Sequence, residues 1–184
     1  MTRELIHQVY IAYLGRPADP AGLVYWQNQL DANGGGVNGW NAVSAAFSAY
    51  ESTEIYDSMS LDQKIASVYR RAFDREASAA EISFWEASGF NVAQIAFAIV
   101  DGAQNNDLAT IRKKTEFAEK FVSILDPERT GVGPFNYEYS DASIGRALMD
   151  SVNMNSDVFY SNVLAQIQQN LTLLNPNFNP TFGP

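Results

Sequence analysis

The chain contains no cysteine. Disulfides, thiolate metal sites, iron–sulfur clusters and thiol nucleophiles are excluded together. Basic residues are scarce: Lys and Arg number 12 against 21 Asp and Glu, a formal net charge of -9. Duplex binding is driven by clustered cations that neutralise phosphates, so nucleic acid is not an expected partner. No apolar run approaches the roughly 20 residues of a membrane-spanning helix, and the first residues lack the apolar core of a secretory signal. With a single histidine, His7, a Ser-His or Cys-His pair has almost nothing to be built from. Walker loops, nucleophile elbows and His-Glu-x-x-His patterns are missing as well.

What is present is helical periodicity on an apolar background of 46%, enough to bury a substantial core. Leu5, Ile6, Val9, Tyr10, Tyr13 and Leu14 recur at three- and four-residue spacing and predict an amphipathic helix ending at Gly15. Asp19 and Pro20 restart a helix as N-cap and first residue. That second helix carries Leu23, Tyr25, Trp26 and Leu30, then breaks in the run Asn33 to Gly36, too permissive to stay helical. A third helix is expected over 40–56. Ser60 and Ser78 each open a capping box, and Asn91 caps a further helix. A long helix over 108–125 follows, then an irregular stretch over 126–140, helices over 141–152 and 157–174, and an extended Asn/Pro-rich tail over 175–184 read as a linker. The fold class is therefore all-α: a multi-helix bundle with additional C-terminal helices and an extended tail.

The second copy of the pattern stands at a constant offset. Ile6 meets Ile65, Val9 meets Val68, Tyr10 meets Tyr69, Arg16 meets Arg75, Leu23 meets Ile82 and Trp26 meets Trp85. The chain contains a duplicated helix-turn-helix unit, with copies at about 5–59 and 60–125, followed by a loop and helices over 126–174. Neither copy alone can bury its apolar face. Tyr10, Trp26, Tyr69 and Trp85 are the expected core anchors, and Arg16 and Arg75 are expected to hold helix-terminal carbonyls or a local acid.

Residues 9–26, VYIAYLGRPADPAGLVYW, resemble the signature of the DUF4214 family, and residues 47–54 and 95–114 are similar to it too. The resemblance covers about 5–125. It implies a cell-surface protein exported by a C-terminal signal rather than an N-terminal peptide (type I secretion), similar to the anchoring region of bacterial surface-layer proteins. On that footing the domain is a non-catalytic anchor. It binds lipopolysaccharide through its O-polysaccharide, with self-association in a lattice. The second copy departs from the signature, with Asp74, Glu76 and Glu81 where the first has Gly15, Pro17 and Gly22, so its turn is expected to differ.

Sugar recognition combines aromatic faces with planar polar groups. The candidates are Trp40, beside the glycine run and expected to be exposed, and Asn136, Tyr137 and Tyr139 in the long loop. Asp101, Asn105 and Asp107 form an oxygen-rich cluster able in principle to hold Ca2+, which would bridge this acidic chain to an anionic glycan. Two other readings stay open: a helical docking module for a protein partner, and a carboxylate-based glycan hydrolase.

Overall fold

In the computed structural model the amphipathic first segment forms α1, Thr2–Val9, and runs on as a π-helical turn, Tyr10–Leu14, every residue of which is buried. The structure describes residues 2–50, 56–125, 142–159, 161–163, 165–167 and 169. Gly15 ends this helix in the left-handed region at φ 68, where a residue without Cβ costs least. Asp19 caps the next helix, α2 (Pro20–Ala32), by accepting the Gly22 amide at 2.7 Å.

Then come α3 (Gly36–Tyr50), α4 (Leu61–Phe73), α5 (Ala79–Glu86), α6 (Val92–Asp101), α7 (Asn105–Leu125) and α8 (Ala142–Asp150). Ser60 and Ser78 head their helices with capping boxes, as their spacing predicts, and Asn91, expected as a cap, forms one too. Among the described residues there is no strand, and the helices pack as an all-α bundle. Two starts are earlier than the periodicity suggests. The glycine run turns through positive φ at Gly34, Gly35 and Gly36, yet α3 already begins at Gly36. Likewise α7 begins at Asn105, itself at φ 49. Beyond α8, Val163 and Ile167, one helical turn apart, are buried. The loop over 126–140 and the tail over 175–184 lie outside the described residues.

One core takes side chains from both copies. At its centre the Phe47 ring meets Tyr10, Tyr13, Trp26 and Trp40 at centroid distances of 5.4, 5.6, 5.0 and 5.2 Å. Where the copies join, the Tyr13 carbonyl accepts both the Arg71 guanidinium, at 2.7 Å, and the Tyr56 hydroxyl, at 2.5 Å. Burial pushes the Tyr56 phenol up to about 12 against the pull of Arg71, so it is a fixed donor. A Cβ on Gly15 would meet Arg71 Cδ at 3.1 Å, so this turn is glycine for contact as well as conformation.

The turns of the two copies share one backbone path, against the expectation drawn from their differing residues. Asp74 sits at φ 58, ψ 30 where Gly15 sits at φ 68, ψ 21, and Ser78 and Asp19 cap from the same extended conformation. Aspartate is among the few residues that enter the left-handed region readily. Its carboxylate there receives the buried Lys114 ammonium at 2.5 Å.

Burial separates the copies more than backbone does. Tyr10, Tyr69 and Trp26 are buried anchors, as expected. Trp85 is not: it is only partly covered, and α5 buries no residue. In the first copy α2 is held between α1 and α3, whereas α5 rests chiefly on α4.

The other long-range tie joins α1 to α7. Arg3 Nε reaches both Glu119 oxygens at 3.1 and 2.9 Å, and the buried His7 lies 3.5 Å from the same carboxylate. Burial alone would raise the Glu119 carboxyl, but the contacts from His7 and Arg3 outweigh it and hold it at about 2. A depressed carboxyl stabilises the fold above its unfolded pKa, and that contribution is lost as pH falls toward the folded value. Stability should therefore decline from about pH 4.5 down to about 2. Urea midpoints measured across that window should fall less steeply in Glu119→Gln; an unchanged slope would mean Glu119 carries none of the acid sensitivity.

Candidate functional site in the second copy

The duplication places the same trio in each copy: a tyrosine, an arginine over its ring, and a tryptophan. Arg16 Cζ stands 5.1 Å from the Tyr10 centroid and Arg75 Cζ 4.8 Å from that of Tyr69. Each arginine donates to the carbonyl of the following residue, Pro17 or Glu76, at 3.1 Å. This is the structural role the sequence suggests for both arginines.

Beyond that the trios diverge. In the first copy Gly22 sits so close to the tyrosine that a Cβ would lie 2.6 Å from the Tyr10 hydroxyl, and Arg16 is buried. The second copy has Glu81 at that position. Its carboxylate accepts the Ser78 amide at 2.7 Å and two Arg75 nitrogens at 2.8 and 3.1 Å. Asp107, from the first turn of α7, takes Arg75 from another side at 2.7 and 2.9 Å. The Arg75 hydrogen bond, helped by the Ser78 cap, holds the Glu81 carboxyl at about 2 despite some desolvation. Bonds from Asp107 and Glu81 raise Arg75 in turn. Arg75 and Glu81 are thus held charged side by side over a wide pH range, with Asp107 bonded to the same guanidinium.

Beside them lies an open recess of about 150 Å³. Tyr69, Phe73 and Trp85 give it aromatic walls, Arg75, Glu81 and Asp107 a polar edge, and Ala98, Gly102 and Ala103 a border of small side chains. Trp85 Nε1 donates to the Tyr69 hydroxyl at 3.0 Å, which fixes the angle of its indole. In the first copy the Phe47 ring meets both Tyr10 and Trp26; in the second, Ala98, Ile99, Gly102 and Ala103 border the recess beside Tyr69 and Trp85. Phe84 and Phe90, 65% and 47% exposed, extend the apolar surface of this copy, with the Phe84 ring edge-on to Trp85. An indole face beside anchored carboxylate acceptors and a guanidinium suits a ring that is apolar on its faces and rich in hydroxyls on its edge.

Other candidates are placed differently. Trp40 is 1% exposed, donates from Nε1 to the Ala93 carbonyl at 3.2 Å and stacks on Phe97; it is a core residue and offers no face to a glycan. Asn136, Tyr137 and Tyr139 lie outside the described residues. Asp101, Asn105 and Asp107 do not assemble a cation site. Both Asp107 oxygens are taken by Arg75, whereas Asp101 lines a different cleft on the α1 side. Among the described residues no group of three or more His, Asp or Glu is arranged to hold a metal. His7, the one histidine, is sealed under α7 beside Glu119. Arg75 and Glu81 were not among the binding candidates read from sequence, and Asp107 was read there as a calcium ligand, not as a partner of Arg75. The available signal was the departure at Glu81, a charge placed where the first copy requires glycine.

Comparison with protein-family models, with characterised proteins and with solved structures returns no match to this chain.

Proposed function

We propose that this chain is a non-catalytic anchoring module of a bacterial surface-layer protein, which holds its protein to the outer membrane by binding the O-polysaccharide of lipopolysaccharide at the cell surface. The observation that carries the reading is the recess of the second copy, with its partly exposed Trp85 and its fixed Arg75, Glu81 and Asp107. A pyranose stacked on the Trp85 indole could place hydroxyls against the Arg75, Glu81 and Asp107 edge of the recess. The resemblance of residues 9–26 to the DUF4214 signature, which implies a surface-layer anchoring region, points the same way. With a net charge of -9, contact with an anionic glycan would require a bridging cation, so calcium belongs to the proposal as a condition to be varied.

The test is co-sedimentation with smooth and rough lipopolysaccharide, in calcium and in chelator. Binding to the smooth form alone is expected. Trp85→Ala, which touches a helix with no buried residue, should weaken it at least about tenfold, a loss of about 1.4 kcal/mol. A second reading, docking of a partner protein on α5, draws on the exposure of Phe84 and Phe90. Soluble O-polysaccharide should compete away glycan binding and leave protein docking untouched. Failure to bind either lipopolysaccharide in any condition transfers the site to the docking reading.

A further inference from the structure

A second cleft, of about 270 Å³, lies away from that recess, where α1, the start of α3 and the end of α6 converge. Phe97, Leu5 and Val37 supply apolar walls; Glu4, Gln8 and Asp101 supply the polar groups. No cation lines it. Glu4 and Asp101 are exposed and Gln8 half-buried, and none of the three forms a side-chain hydrogen bond or ion pair with other described residues. The apolar side is rigid, because Phe97 stacks on Trp40 at 6.0 Å and Trp40 is pinned to the α6 backbone. Gly36 leaves the α3 side open: a Cβ there would meet nothing within 4 Å.

We propose that this cleft binds an organic cation, an ammonium group carried on an apolar stem. Glu4 of α1 and Asp101 of α6 border the cleft and would attract the charge, the Gln8 carbonyl can accept a further N–H, and the stem would lie along Phe97, Leu5 and Val37. An aromatic ring within reach favours a cation over a neutral group of the same shape. A bare metal ion gains nothing from the apolar walls, and an anion is repelled. At about 270 Å³ the cleft falls just below the usual range for drug-sized ligands, which fits a single amine or a lysine side chain better than a larger molecule. The site is separate from the glycan recess, so the two proposals stand or fall independently.

Calorimetric titration of the whole chain with cadaverine, with an end-blocked lysine peptide, with 1-pentanol and with calcium chloride at matched ionic strength tests this. Saturable binding of cadaverine or the peptide, with none of the alcohol, is expected, and whichever binds more tightly identifies a free amine or a protein as the source. Glu4→Gln with Asp101→Asn should weaken binding at least about tenfold, and Val37→Trp, which fills the cleft from an exposed position, should abolish it. Absence of amine binding, binding that survives these variants, or calcium binding as tight as amine binding would overturn the proposal.

Discussion

Phe47→Ala should destabilise the fold by about 4 kcal/mol, the largest loss expected from any single truncation here. Phe47 is fully buried and its ring is the one that four other aromatic rings share. Removing it deletes the transfer free energy of a phenyl group and leaves a cavity that Tyr10, Trp26 and Trp40 are too rigidly placed to refill. With total stabilities of about 5–15 kcal/mol for a domain, such a loss consumes much of the margin. Urea unfolding followed by tryptophan fluorescence measures it. Phe47→Leu, which keeps most of the volume, should lose about 1 kcal/mol. Equal effects of the two substitutions would show that the site collapses freely and that the aromatic cluster is not the centre of the core.

The second large effect concerns a charge. Lys114 has 1% of its side chain exposed, and its ammonium is held by Asp74 at 2.5 Å and by the Arg71 carbonyl at 2.7 Å. Asp74→Asn keeps a residue tolerant of the left-handed conformation but leaves a buried cation with only neutral acceptors. The expected loss is about 3 kcal/mol, at the low end for a broken buried pair because the Asp74 side chain is 36% exposed. Adding Lys114→Met removes the stranded charge, and the double variant should recover most of the loss. A double-mutant cycle in urea decides this: if the double variant is no more stable than Asp74→Asn alone, the ion pair is not the source of the effect.

The helices were legible in the sequence because their signals are local. The capping boxes at Ser60 and Ser78, the caps at Asp19 and Asn91 and the Gly15 stop all act within four residues of chain, and all appear where their spacing put them. What failed depended on partners distant in sequence. Trp40 looked exposed because it follows a glycine run, yet Trp40, Val43 and Phe47 stand at i, i+3 and i+7 on the buried face of α3. Trp85 has the same local setting as Trp26, but the burial of Trp26 includes Phe47 from α3, a contact the offset between copies does not reproduce. In the chain Lys114 simply follows Arg112 and Lys113; its burial follows from a carboxylate 40 positions away that also closes a helix. The paired sites at Arg75 share this logic, since Asp107 lies 32 residues from it.

The two copies have parted company in how freely they can change. Around Phe47 every neighbour is pressed against several others, so a substitution there is judged first by whether the protein survives. The surface of α5 carries less of that obligation: none of its residues is fully buried, Ile82 and Trp85 rest only partly covered against the core, and the capping box and Arg75 keep its helix in place. Exposed positions of α5 can therefore be exchanged one at a time while the core, to which both copies contribute, stays as it is.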